Sequence, residues 1–201
     1  MVDTNKKVKA PAEKIPSYMA DALQGLAYWV GYRRARFRHY HAQEAAVCAE
    51  LWCLLSAHIV DGLRVVPEYP LKKIVKKPPA SKERVDIVIA KKEKGKVREN
   101  LEIEYVIEVK LAKYSKSNKL DLTAIQKDLK RLAAIKKERP KLRTIIVLVS
   151  ERCRRIKFVT DEGIAKRQDF EIDGTSTEYF RIRRVCKVSD SFIQELDMQM
   201  T

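Results

Sequence analysis

At 201 residues the chain is long enough to bury a core as one domain. Its 42 Lys and Arg against 27 Asp and Glu leave a formal charge of +15, a field that attracts polyanions, nucleic acid first and an acidic membrane surface second. Four scattered cysteines (Cys48, Cys53, Cys153, Cys186) without a Cys-x-x-Cys pair, and three histidines (His39, His41, His58), suggest neither a zinc site nor a disulfide framework and argue against His-based zinc hydrolysis.

The first fifteen residues, with Asn5-Lys6-Lys7-Val8-Lys9, lack periodicity and predict a flexible basic lead-in. No signal peptide is visible there, and a cytoplasmic location is expected. Ser17 to Arg38 has helical spacing, with Tyr18, Met19, Leu23, Leu26, Trp29 and Val30 on one stripe. Residues 16–40 are therefore expected to form a helical extension. Gln43 to Val60 predicts a second helix on Ala45, Cys48, Leu51, Leu55 and Ile59, stopped by Asp61-Gly62. A first strand is expected from Leu63 to Leu71, then a basic loop from Lys72 to Lys82. Two apolar runs follow, Arg84 to Ile89 and Tyr105 to Lys110, joined by the polar stretch Lys91 to Asn100 with Gly95 near its middle, the pattern of a hairpin. After a polar crossover, Leu120 to about Lys137 is an amphipathic helix on Leu122, Ile125, Leu129, Leu132 and Ile135, with Pro140 beyond its end. Arg143 to Ser150 predicts a buried central strand, Glu178 to Val188 another strand, and Ser191 to Met198 a short terminal helix. No apolar run approaches the ~20 residues of a membrane span, so no membrane partner is expected.

The two hairpin runs carry isolated charges. Residues two apart share a strand face, so Glu108 and Lys110 point one way and Ile107 and Val109 the other, while Val85, Ile87 and Ile89 lie opposite Asp86. For Asp86 to face Glu108 the turn must centre on residue 97, close to Gly95. Facing side chains then lie roughly 5 Å apart at Cβ, near enough for two carboxylates to share one divalent cation. Buried charges are costly unless paired or bound to metal, and such a cation supplies the reason. The competing account is a cross-strand salt-bridge cluster on a solvated sheet face; the apolar positions around these charges favour burial.

The order helix, three strands, helix, strand over residues 41–150, with Asp86 on one strand and Glu108-x-Lys110 on the next, resembles the PD-(D/E)xK phosphodiesterase superfamily. Asp128-x-Lys130 also fits the string but lies on a helix, where residues two apart do not share a face. Val85 stands where the family name has Pro. Some members carry a Gln four residues before a Tyr on the following helix; here Gln126 precedes Lys130. The resemblance implies an α/β, restriction-endonuclease-like core, a mixed β-sheet flanked by helices, within a nuclease domain spanning 41–201. It implies that Asp86 and Glu108 hold Mg²⁺, with Mn²⁺ as substitute, and that Lys110 orients the attacking water or stabilises developing charge. The family's further helix carboxylate would be Glu44 or Glu50. Glu44 shares a stripe with Cys48, Leu51 and Leu55, whereas Glu50 lies about 240° farther round, so Glu44 is preferred as the third metal-site and catalytic residue.

Arg33, Arg34 and Arg36 interleave with Tyr28, Trp29, Tyr32 and Phe37, a mixture suited to backbone phosphate and base stacking, though also to an amphipathic helix with a wet Arg side. Lys72, Lys73, Lys76, Lys77 and Lys113 are loop cations expected to meet nucleic acid. Arg181, Arg183 and Arg184 suit phosphate contact or protection of a sheet edge. The expected activity is metal-dependent hydrolysis of DNA. Alternatives are an RNA-directed nuclease and an inactive nucleic-acid-binding or assembly protein on the same fold. Cutting both strands of a duplex calls for two sites, which a homodimer would provide.

Overall fold

The computed structural model describes residues 15–37, 41–76, 83–92, 101–112, 122–150, 165–172 and 175–183. Its elements run α1 (Ser17–Arg36), α2 (Glu44–His58), β1 (Leu63–Pro70), a 3₁₀ turn (Leu71–Lys73), β2 (Arg84–Lys91), β3 (Ile103–Leu111), α3 (Leu122–Glu138), β4 (Arg143–Ser150), β5 (Ala165–Ile172) and β6 (Thr175–Arg183). The strands form one six-stranded mixed sheet in the order β1-β2-β3-β4-β6-β5, flanked by helices. This is the fold class expected from the sequence. The segment after Ser150 differs: β5 is a strand the sequence did not announce, and β6 starts three residues before Glu178. The expected terminal helix at Ser191 to Met198 lies outside the described residues.

Each sheet face has its own apolar cluster. On one, Ile87, Ile89, Tyr105, Ile107, Val109, Ile145, Val147 and Val149 pack beneath α1 and α2 through Leu23, Leu26, Val30, Val47, Leu51 and Leu55. On the other, Val88, Ala90, Val106, Ile146 and Leu148 pack beneath α3 through Ile125, Leu129, Leu132 and Ile135. The helical stripes read from spacing are the buried faces in α1 and α3. In α2 the centre of the stripe shifts to Val47, Leu51 and Leu55, with Cys48 only partly buried. Fully buried leucines such as Leu55 and Leu132 would each cost about 2–5 kcal/mol on truncation to Ala.

The β2–β3 ladder pairs Ile87 with Ile107, Val88 with Val106 and Ile89 with Tyr105, and slips by one residue at Ala90. The paired ladder stops at Ile87–Ile107, one residue short of Asp86 and Glu108. Strands β3 and β4 run parallel, Tyr105 beside Arg143 and Lys110 beside Leu148, with α3 as the crossover between them. One expectation of alternation fails. Val85 packs in the α3-side cluster with Tyr69 and Leu71, not beneath α2 with Ile87 and Ile89. The break falls where β1 reaches Glu68, whose φ of 50° lies in the left-handed region, between the pairs Pro67–Ile87 and Tyr69–Val85.

Candidate active site

Charged side chains gather where the regular β2–β3 ladder ends. There the Val109 N–H donates to Asp86 Oδ2 at 2.7 Å instead of to a main-chain carbonyl. Asp86 is thus fixed against β3, beside Glu108. Glu108 is buried, at 1% exposure, on the face covered by α3. That helix lays Arg131 over it, with NH2 2.7 Å from Glu108 Oε2 and 2.9 Å from Asp128 Oδ1. Asp128 in turn sets Oδ2 3.1 Å from Lys110 Nζ, an ion pair not aligned as a hydrogen bond. Lys110 Nζ also donates to Glu44 Oε1 at 2.7 Å, and the Leu111 N–H donates to Glu44 Oε2 at 3.1 Å.

The sequence-predicted Asp86, Glu108, Lys110 and Glu44 therefore converge. Glu44 arrives from the first turn of α2, where a carboxylate also suits the positive end of the helix dipole. Both of its oxygens are engaged by Lys110 and the β3 backbone, so in this arrangement it serves as a partner of Lys110. Glu50, further along α2 and half-buried, takes no part in the network; burial alone raises its pKa.

Four carboxylates surround two cations. Burial pushes the Glu108 carboxyl well above its ordinary range, and the neighbouring Asp86 charge adds to this against the opposing pull of Arg131. Asp86 is also raised, by burial first, with the Val109 N–H acting against it. Burial acts to lower the Lys110 pKa, but the Glu44 and Asp128 contacts outweigh it and the net shift is upward, so Lys110 is firmly cationic. Cys48, one turn beyond Glu44, has its thiol pushed up to about 12 by burial and the surrounding carboxylates, which makes it a poor nucleophile.

Glu108 Oε1 is buried without a hydrogen-bond partner. An acceptor in that state calls for a proton or a cation. Together with Asp86 it offers hard oxygen donors, the type that Mg²⁺ and Mn²⁺ take, and Mg²⁺ characteristically needs only one or two protein carboxylates. The donor set thus fits such an ion at Asp86 and Glu108. Among the described residues no group of three or more His, Cys, Asp or Glu is arranged to enclose a metal.

Asp128 and Arg131 were missed as site residues. Their signal was spacing: Asp128 and Arg131 sit three and six residues after Ile125, among Leu129, Leu132 and Ile135, so charge lay inside the buried stripe. Gln126, the half-matched family position, is exposed. The expected nucleic-acid contacts are dispersed. Arg33 stacks over Trp29 (5.4 Å) and Phe37 (5.9 Å) in the last turns of α1, with Arg34 and Arg36 beside it. Lys72, Lys73 and Lys76 are exposed. The Lys76 N–H donates to Glu138 at the end of α3, about two turns from Arg131. Lys77, Lys113 and Arg184 lie outside the described residues.

No protein-family model matches the chain, and no curated protein matches it. Among solved structures, NucC of P. aeruginosa ATCC27853 in its cAAA-bound form is similar at 8% identity and a TM-score of 0.39, over 69% of this chain and 65% of that one. The likeness is remote and concerns fold alone. No helix among the described residues is long and apolar enough to cross a membrane.

Proposed function

We propose that the chain is a metal-dependent phosphodiester hydrolase of the PD-(D/E)xK type acting on nucleic acid, with DNA as its substrate. The observation that carries this reading is the pairing of half-buried Asp86 with buried Glu108, one Glu108 oxygen unpartnered, beside a Lys110 that two further carboxylates hold cationic. Asp86 and Glu108 would hold Mg²⁺ or Mn²⁺. When bound, that ion supplies charge neutralisation at the phosphoryl oxygens and a more acidic water. Lys110 presents a compact positive charge beside them, fixed by Glu44 and Asp128, at which the attacking water is oriented or developing negative charge is met. The +15 charge supplies attraction to the polyanion, so binding should weaken steeply with salt, by a log slope of about −0.9 per neutralised phosphate on duplex DNA.

One observation favours a second reading. Arg131 already neutralises Glu108 in part, as it would in an inactive nucleic-acid-binding protein that kept the fold. Purified protein incubated with plasmid, linear DNA and RNA, each with Mg²⁺ or chelator, separates the readings. Mg²⁺-dependent scission of DNA supports the first, scission of RNA alone redirects it to RNA, and binding without scission supports the second. Duplex scission at two sites would call for a homodimer, and sedimentation at working concentration tests for one.

A further inference from the structure

We infer that Arg131 is the resident counter-cation of the carboxylate pair, displaced from Glu108 when a divalent ion binds. The inference rests on the metal-dependent reading of the same site, and concerns how that site is held and opened.

The contrast between two arginines carries it. Arg143 grips Glu178 with two nitrogens, Nε on Oε1 at 2.7 Å and NH2 on Oε2 at 3.1 Å, while NH1 donates to Tyr105 at 3.0 Å. That fork geometry locks a guanidinium. In Arg131 the NH2 nitrogen serves both Glu108 and Asp128, and Nε is buried without a partner. Arg131 is therefore held through a bridging nitrogen, without the two-nitrogen grip that Arg143 has on Glu178.

Four further features fit displacement. The oxygen that Arg131 leaves unpartnered, Glu108 Oε1, belongs to the carboxylate it covers, so an arriving cation has a landing point before the guanidinium departs. Once a divalent ion is in place, a guanidinium on the same carboxylate is repelled by it. Asp128, three residues earlier on α3, keeps Arg131 paired after it leaves Glu108, so no unpaired charge is stranded in the interior. Arg131 also retains 17% side-chain exposure against 1% for Glu108, which gives the guanidinium room toward solvent that the carboxylate lacks.

The test is Mn²⁺ binding by calorimetry to the whole chain, without nucleic acid, at mildly alkaline pH and low salt. The wild type is compared with Arg131→Gln and Glu108→Gln. Removing a unit positive charge within a few ångströms of the ion should tighten Mn²⁺ binding by about tenfold or more in Arg131→Gln, and Glu108→Gln should abolish it. Mn²⁺ bound through Glu108 in the wild type, with affinity unchanged or weakened in Arg131→Gln, would overturn the inference and leave the nuclease reading standing. No Mn²⁺ binding by any of the proteins would overturn both. Should Arg131→Gln fail to fold, the arginine Nε–H signals of the wild type decide. The Arg131 signal, identified by its loss in Arg131→Lys, should move as Mg²⁺ is added while that of Arg143 stays. An unmoved Arg131 signal under saturating Mg²⁺ overturns displacement.

Discussion

Two charged clusters sit on opposite faces of β3 and toward its opposite ends, and they obey different rules. At the start of the strand, Arg143 holds Glu178 in a filled guanidinium fork and lies 5.0 Å from the Tyr105 ring. Toward its end, Glu108 and Lys110 join Glu44, Asp86, Asp128 and Arg131, where acids outnumber bases and buried atoms of Glu108 and Arg131 lack hydrogen bonds. Pairing in the first cluster accounts for its burial. In the second, pairing is incomplete, and the unpartnered Glu108 oxygen calls for a proton or a cation. Buried charge is informative about function chiefly where the local pairing does not close.

The largest effect should separate the clusters by what they lose. Alanine at Asp86, Glu108 or Lys110 should lower cleavage by orders of magnitude, roughly a hundred- to a thousandfold, with melting still cooperative; wild-type rates in the triple variant would remove the site. Arg143→Ala should do the reverse, costing on the order of 3 kcal/mol in denaturant unfolding by removing the two-nitrogen grip on Glu178 and the bond to Tyr105, with residual cleavage tracking the folded fraction. A smaller effect sharpens the second cluster from within. Glu44→Gln weakens the hold on Lys110 and should reduce cleavage by roughly ten- to a hundredfold, while Glu50→Gln, outside the network, should leave it near wild type. Equal losses in the two variants would contradict the assignment of Glu44.

The smallest effect concerns pH. The Glu108 carboxyl is raised above its ordinary 4.5 by burial and the Asp86 charge, so the folded state holds this proton more tightly than the unfolded one. Its contribution to stability is complete below that value and is lost as pH rises through the folded pKa. Glu108→Gln, fixed in a neutral form, should melt above the metal-free wild type at neutral pH, with the gap closing as pH falls toward 4.5. A gap that widens on acidification would show that Glu108 is instead stabilised as a carboxylate.

Much of this site was legible in the sequence because strand chemistry is periodic. Alternation set Glu108 and Lys110 on one face, and the turn centre at residue 97 that Asp86 opposite Glu108 requires lay close to Gly95. Asp128 and Arg131 were harder to find, since a charge within a helical stripe looks the same whether it reaches a site or the stripe's wet margin. The helix face containing Glu44 could be read, but its partner could not: spacing says which way a carboxylate points, not whether Lys110 or a cation awaits it. Val85 escaped because the break in alternation depends on the backbone of Glu68 on the neighbouring strand. Strand β5 escaped because Lys166, Arg167, Gln168, Asp169 and Glu171 leave almost no apolar rhythm to detect.

The most direct test of the site's identity is plasmid cleavage by the wild type and Glu108→Gln side by side, with Mg²⁺ and with chelator. The wild type should nick or linearise plasmid in Mg²⁺ alone, and Glu108→Gln under neither condition, although it still binds the plasmid. Cleavage that persists in chelator, or in Glu108→Gln at the wild-type rate, would contradict a metal-dependent site built on Asp86 and Glu108.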